Sequence, residues 1–454
     1  MSIFKPCDIR GLYGDELTDD DAHAIGRAVA TRCEGARVAV GGDGRRSTPA
    51  LRDALTHGLL AAGADVVDLG TLPTPAFNYA LREVVHCPGV MVTASHNPAE
   101  YNGFKVASHD GPTSPAEIAA LQDVVESGNF AVGRGKLTSQ LILPRYIDWL
   151  ASTSLRLDGL HVALDGAGGC AGLVAPEVFS RLGAKVETVF CELDPDLSGR
   201  DPNPAARNAL NVLASRVAEM EADLGVGYDG DGDRAVFVDG AGRVVPGDLA
   251  GTVLLKLVVG RRPRAAVVYD LKCSSVLADT ARELDFAPHM ERSGYAFIRS
   301  RMVKEDALFG CEASGHLFFG ELGGCDDAMY ASLGLAGVLA RKSAPTFAAA
   351  VDELPVRAMT PDLRVDWASD ATEITMEALA NAHANRQLSR LDGVRVDFGD
   401  GWALARPSVT EPVVTLRFEA ASTDRLEELI VEFLRPVPDL AEAVAELRAR
   451  EGSD

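Results

Sequence analysis

The sequence lacks most of the short signals that identify a chemistry on sight. Its eight cysteines (Cys7, Cys33, Cys87, Cys170, Cys191, Cys273, Cys311 and Cys325) are scattered and form no CxxC pair. That fits reduced thiols in the cytoplasm better than a disulfide framework or a zinc site. No Walker A loop, no GxGxxG after a strand and no HExxH is present, so nucleotide-binding and zinc-protease readings have no support. The first ten residues carry Lys5, Pro6, Asp8 and Arg10, which leaves no apolar core for a signal peptide. The apolar run Ala328 to Ala340 is too short to span a bilayer and is expected to be a buried helix. Positive charge is also scarce: 44 Lys and Arg face 66 Asp and Glu, a net charge of −22. Such a chain is a poor partner for nucleic acid or membrane surfaces, both anionic. An anionic small-molecule substrate must then meet a local basic cleft.

What is present is ample apolar content, 47% of 454 residues, enough for two to four packed domains. Short β-like runs alternate with helix-like stretches. Arg37 to Gly41, Asp65 to Leu69 and Gly89 to Thr93 read as strands, with a helix over Thr48 to Ala62. The rhythm restarts at His161 to Leu164, with a helix near Leu173 to Leu182 and a strand near Lys185 to Phe190. It restarts again at Ala265 to Tyr269, followed by a helix near Ser274 to Leu284. This alternation predicts βαβ units. The last hundred residues differ: Val394 to Phe398, Trp402 to Ala405 and Val413 to Phe418 read as neighbouring strands between helices near Ala371 to Ala384 and Thr423 to Leu434. The fold class expected is α/β: three similar α/β domains with mixed, largely parallel sheets, plus a C-terminal α+β domain, around one central cleft. The divisions expected are 1–141, 142–243, 244–354 and 355–454.

Four polar stretches interrupt this pattern. In DGDGDR, Asp229, Asp231 and Asp233 alternate with glycine, and Arg234 follows. A calcium loop needs Gly at its sixth position and Glu at its twelfth; Arg234 and Gly240 stand there instead. Either this is a solvated acidic turn, or three carboxylates meet one small hard cation such as magnesium, with Arg234 pairing an aspartate or a phosphate. In TASHNP, Ser95 follows an apolar strand but lacks the GxSxG of a hydrolase elbow. It is a polar turn closed by Asn97-Pro98, or a serine that carries or attacks a phosphoryl group. GCEASGH offers Glu312, Ser314 and His316, types that suit sugar hydroxyls. RPSVTEP offers the planar donor fork of Arg406 with Ser408 and Thr410 between two strands. It is a phosphate loop or a salt-bridged hairpin turn.

In their order along the chain, DIRG, TASHNP, DGDGDR, GCEASGH and RPSVTEP resemble the α-D-phosphohexomutase superfamily, over essentially the whole sequence. Within it, SHNPAEYNGFK, YDLKCSSVL, GCEASGHLFF, CDDAMY and LRFEA look closest to the bacterial phosphomannomutase/phosphoglucomutase group. The resemblance implies a phosphoserine at Ser95 and one Mg²⁺ per chain on Ser95, Asp229, Asp231 and Asp233. It implies that Arg10, Lys105, Arg234 and His96 surround the transferring phosphoryl group. Glu312, Ser314 and His316 would read the sugar, and Arg406, Ser408, Val409 and Thr410 would hold the non-reacting phosphate. The activity implied is interconversion of hexose 1- and 6-phosphates by a cytoplasmic monomer or small homo-oligomer, with a hexose 1,6-bisphosphate as activator. Three positions depart from the pattern: Tyr295 stands where relatives carry histidine, Val409 where they carry Gly or Asn, and Ala313 where they carry larger residues. Tyr295 in a catalytic role would replace a group titrating near neutrality by one near pKa ~10. Phosphoglucosamine mutase and a non-catalytic sugar-phosphate binding protein are the alternatives.

Overall fold

The computed structural model describes residues 2–108, 111–152, 155–260, 262–341, 345–408 and 412–451. Its strands form four sheets. The first has the order Ile9–Leu12, Tyr101–Ser108, Gly89–Val92, Val38–Gly42, Val66–Thr71, Leu137–Ser139, with Gly111–Pro112 added beside Tyr101–Ser108. The second runs Val244–Val245, Ala235–Asp239, Leu224–Tyr228, His161–Asp165, Lys185–Val189. The third runs Ala287–Glu291, Ala266–Asp270, Phe309–Cys311, Leu317–Phe319, Cys325–Asp326. Each combines parallel strands on one side with antiparallel strands on the other. The fourth sheet, built from Ala358–Met359, Leu363–Asp366, Gln387–Ser389, Val394–Asp397, Gly401–Pro407 and Val413–Ala420, is antiparallel throughout. The expected fold class is therefore observed.

Val244–Val245 pairs with Phe237 and Val238 in the second sheet. The division expected between 243 and 244 thus falls at the entry to a strand of that sheet. Pairing across a hairpin decided this, and the two-residue strand carries no alternation signal of its own.

The antiparallel strands place the site. Gly89–Val92 and Tyr101–Ser108 form a hairpin whose tip is TASHNPAE, and Tyr228 and Ala235 close a hairpin around DGDGDR. Cys311 and Leu317 close one around EASGH, and Pro407 and Val414 close one in the fourth sheet. TASHNP, DGDGDR and the EASGH of GCEASGH thus lie at hairpin tips, whereas Arg406 of RPSVTEP is still within its strand, paired with Thr415. The reading of the first hairpin as a lone strand missed its second arm, Tyr101–Ser108, which carries Lys105.

The helices start and stop where local chemistry dictates. Thr18 and Asp21 form a reciprocal cap ahead of Asp19–Arg32, and Ser114 with Glu117 does the same ahead of Pro115–Ser127. Buried apolar side chains from Ala39 to Leu354 form one continuous core through the first three sheets, while the fourth sheet and its helices Ser369–Ala382 and Thr423–Leu434 keep a core of their own. The run Ala328–Leu339 is a buried helix, as expected. Among the described residues no helix is long and apolar enough to cross a membrane.

Helices Asp19–Arg32 and Thr48–Ala61 approach closely because Gly26 and Gly58 sit between them. A Cβ on Gly58 would lie 2.1 Å from the His23 carbonyl oxygen. Gly58→Val is expected to destabilise the protein by about 1–3 kcal/mol, the usual range for overpacking, read as a lowered midpoint in thermal unfolding. An unchanged midpoint would mean that this contact is not tightly packed.

Candidate functional site

Three hairpin tips converge on the buried aspartates. Asp229, Asp231 and Asp233 are each almost wholly inaccessible, so their charge must be met by protein groups or by a cation. Gly232, at φ +75°, lets the tip turn sharply. At Gly230 a Cβ would come within 2.5 Å of the Ser95 carbonyl oxygen, so only glycine lets the two tips touch. Asp229 folds the tip on itself, its Oδ1 accepting from the amides of Asp233 (3.0 Å) and Arg234 (3.2 Å). Arg200 supports the base of the loop by donating to the Tyr228 carbonyl at 2.6 Å and to Asp165 at 2.9 Å.

The first sheet supplies the partners. Ser95 Oγ donates to Asp229 Oδ2 at 2.7 Å. Ser95 is buried and has φ +52°, a left-handed conformation uncommon outside glycine, which points to a backbone held in place by its surroundings. Arg45, itself buried, donates to the carbonyls of Ser95, Asn97, Pro98 and Tyr101. Asp43 holds Arg45 and also accepts from Thr48 and Thr93. Lys105 Nζ donates to Asp231 Oδ2 at 2.7 Å and to Asp233 Oδ2. Thr74, at the start of helix Thr74–Ala80, adds a 2.6 Å bond to Asp231 Oδ2. Arg10, on Ile9–Leu12, bonds Asn97 Oδ1 and Asp8 Oδ2. His96 Nδ1 lies 3.2 Å from Ser95 Oγ.

The third sheet closes the cluster. His316 Nδ1 meets Glu312 Oε2, and its Nε2 lies 3.1 Å from Asp233 Oδ1 and 3.2 Å from Arg234 Nε. Glu312 Oε1 also accepts the Gly294 amide. The backbones of Arg234 and His316 form an isolated β-bridge, which welds the aspartate tip to the Glu312 tip. Ser314 Oγ stands 3.4 Å from both Glu312 and His316.

Electrostatics follow from this burial. Desolvation would lower the Lys105 pKa, but Asp231 and Asp233 outweigh it and hold the ammonium charged. Burial, then Asp233 and Asp231, push Asp229 well above the ordinary carboxylate range. Asp233 goes the other way: burial raises it, but Lys105 and His316 more than compensate. Burial raises Glu312 too, yet His316 brings it down to about 2. His316 is lowered by burial and Arg234, and carried up to about 10 by Asp233 and Glu312. Burial, with Arg234 and Arg10 nearby, keeps the His96 imidazole neutral.

The sequence-predicted residues divide cleanly. Ser95, His96, Lys105, Arg10, Asp229, Asp231, Asp233, Arg234, Glu312, Ser314 and His316 come together. Tyr295 lies beside them, but its hydroxyl donates to the Cys7 carbonyl at 2.8 Å while its ring faces Lys105 Nζ at 5.5 Å from the centroid. Burial and Asp8 push that hydroxyl's pKa far up. Arg406 pairs with Asp392 in its own domain, and the Ser408 amide donates to the Val413 carbonyl at the base of the turn. Val409 and Thr410 lie outside the described residues. Sequence reasoning missed Thr74, Asp326 and the roles of Arg45 and Asp43; the last two were visible only as GGDGRRS after a strand.

One buried atom argues for a metal. Asp231 Oδ1 accepts no hydrogen bond, although Asp231 is fully buried. Asp229, Asp231 and Asp233 can each turn one oxygen to a common point, their ligand atoms all lying within 4.8 Å of one another. An all-oxygen set of this kind suits magnesium, which keeps places open for phosphate oxygens.

Comparison with known proteins places these features in a family. Models of the phosphoglucomutase/phosphomannomutase family match in series: alpha/beta/alpha domain I over 1–131, domain II over 144–242, domain III over 246–357 and the C-terminal domain over 363–435. A phosphomannomutase/phosphoglucomutase of Pseudomonas aeruginosa is 36% identical over 441 residues, covering 95% of this chain and 94% of the relative. A Methanopyrus kandleri protein named "Probable phosphoglucosamine mutase" is 31% identical over 452 residues, covering 98% and 99%. The crystal structure of a phosphoglucomutase/phosphomannomutase family protein from Burkholderia thailandensis superposes with a TM-score of 0.89 at 32% identity, covering 97% of each chain.

Asp231→Asn is expected to weaken Mg²⁺ binding by at least about a hundredfold in isothermal titration, with circular dichroism unchanged. Undiminished binding would remove the three aspartates as the magnesium site.

Proposed function

Since the chain belongs to the phosphoglucomutase/phosphomannomutase family of isomerases, we propose that it interconverts the 1- and 6-phosphates of mannose and glucose through a phosphoserine at Ser95 and a bound hexose 1,6-bisphosphate. The observation that supports this most is the contact of Ser95 Oγ with Asp229 Oδ2 at 2.7 Å, inside a buried aspartate cluster ringed by Lys105, Arg234 and Arg10. Phosphoryl transfer asks for alignment and charge neutralisation, which this arrangement offers.

A magnesium ion held by Asp229, Asp231 and Asp233 supplies neutralisation of phosphoryl oxygens when bound. The chain's own groups do the rest. Ser95, carrying phosphate, presents it to the free hydroxyl of a hexose monophosphate. The P–Oγ bond breaks as a P–O bond to the sugar forms, the hydroxyl proton leaves, and Ser95 Oγ regains a proton. The neutral His96 imidazole stands at that oxygen. Lys105, Arg10 and Arg234 hold the charge of the group in flight. The bisphosphate then turns over and returns its other phosphate to Ser95. Glu312, Ser314 and His316 read sugar hydroxyls in either orientation, while Arg406, Ser408, Val409 and Thr410 hold the idle phosphate. Tyr295 acts as a ring beside Lys105 and as a donor to Cys7, with no part in proton transfer.

The Methanopyrus relative supports a second reading, the phosphoglucosamine mutase, and Ala313 in the sugar tip matches the larger residue of neither group. Competition among mannose, glucose and glucosamine phosphates separates the two.

With Mg²⁺ and trace bisphosphate, purified protein is expected to carry one phosphate by intact mass and to turn over glucose 1-phosphate and mannose 1-phosphate. Ser95→Ala should lose the phosphate and at least about a thousandfold in kcat; an unchanged rate sinks the phosphoserine. Tyr295→Phe is expected to stay within about tenfold of wild type, whereas loss of a true base costs about 10²–10⁴. A loss in that larger range would return Tyr295 to the chemistry.

A further inference from the structure

Asp326 has no part in the proposed phosphoryl transfer. It ends the third sheet's edge strand Cys325–Asp326, is 3% exposed, and its Oδ2 accepts no hydrogen bond. The nearest cationic atom to that oxygen is His316 Nε2, at 3.6 Å. The same nitrogen lies 3.1 Å from Asp233 Oδ1, and Asp233, His316 and Asp326 can all offer a ligand atom within 4.8 Å of one another. In a tetrahedral zinc site with bonds of about 2.0 Å, ligand atoms stand about 3.3 Å apart. The two distances measured from Nε2 bracket that edge.

The histidine is also oriented as a ligand would be. Its Nδ1 is engaged by Glu312 Oε2, and Glu312 is in turn fixed by the Gly294 amide. A carboxylate on Nδ1 sets the tautomer that metal binding needs, and a metal entering at Nε2 displaces the proton held between that nitrogen and Asp233. Beside Asp233 and Asp326 lies a cavity of about 20 Å³, lined also by Thr74, Tyr295, Lys105 and Arg299, with room for about one water molecule.

We propose that Asp233 Oδ1, His316 Nε2 and Asp326 Oδ2 form a second divalent-metal site, next to the three-aspartate site and selective for zinc-class ions over magnesium. Imidazole favours zinc, cobalt and nickel, while magnesium prefers oxygen and water. Asp233 is shared: its Oδ2 faces Lys105 and Asp231, and its Oδ1 faces His316. Arg234 Nε, 3.2 Å from Nε2, must swing aside when a metal enters, and Lys105 and Arg299 nearby temper the affinity. An ion there ties the Glu312 tip to the aspartate tip, so zinc-class ions inhibit turnover at saturating Mg²⁺.

The test is a Co²⁺ titration of Mg²⁺-saturated protein, followed by visible absorption and needing no turnover, so that its failure is separate from failure of the mutase reading. One further equivalent of Co²⁺ is expected, with the intense absorption of a tetrahedral centre, displaced by Zn²⁺ and not by Mg²⁺. Asp326→Asn should lose that absorption while Mg²⁺ titration shows an intact first site. Should Asp326→Asn fail to fold, Glu312→Gln serves instead, with Co²⁺ affinity expected to fall by about 10–100-fold. No tetrahedral absorption, absorption unchanged in a folded variant, or displacement by Mg²⁺ would each overturn the second site.

Discussion

The molecule is organised around three carboxylates removed from water. Asp229, Asp231 and Asp233 sit within one short turn at nearly zero exposure, and a buried anion without a partner costs several kcal/mol. No single domain could satisfy them. Lys105, Ser95 and Thr74 reach in from the first sheet and His316 from the third. The charge on the second sheet's hairpin therefore fixes where its neighbours must sit. The opposite movements of the Asp229 and Asp233 pKa values express the same constraint: one carboxylate has a cation on either side and the other has chiefly its fellow aspartates.

Hairpins make that convergence possible. A parallel sheet offers loops that lead away into helices, whereas an antiparallel hairpin can push a short polar tip beyond the sheet edge. Each of the first three sheets carries such a hairpin next to its parallel strands, and the three tips meet. Arg45 and Asp43 then stiffen the Ser95 tip from within the first domain, so that a strained serine backbone can be held without help from substrate.

The fourth sheet is joined differently. Its contact with the third runs through Leu271, Trp402 and Leu404, with Glu419 accepting from Ser275 and with Asp362 between Lys272 and Arg417. It keeps its own hydrophobic core. A unit with a separate core and a small seam, part apolar and part polar, suits a part that moves relative to its neighbours.

Much was legible in the chain alone. Thr423–Leu434 has the limits expected, and Thr48–Ala61, Ser275–Glu283 and Ser369–Ala382 differ from their expected limits by a few terminal residues. Alternation and turn chemistry are local, so strands, helices and the polar breaks between them can be read from neighbours in sequence. The aspartate triad and Ser95 were legible for the same reason: each motif is contiguous. Tertiary structure alone decided the rest. Asp326 sits in CDD beside an equally acidic Asp327, yet Asp327 caps a helix and accepts from Tyr146 while Asp326 faces His316. The partner of the Tyr295 hydroxyl, the Cys7 carbonyl, comes from the far end of the first domain. Arg45 became a clamp only once four carbonyls from residues some fifty positions away surrounded it. The sequence alone determined which side chains were available and which segments would be strands, helices or turns. Which of those side chains would meet, and in what protonation state, depended on burial and on contacts between domains, which no local pattern encodes.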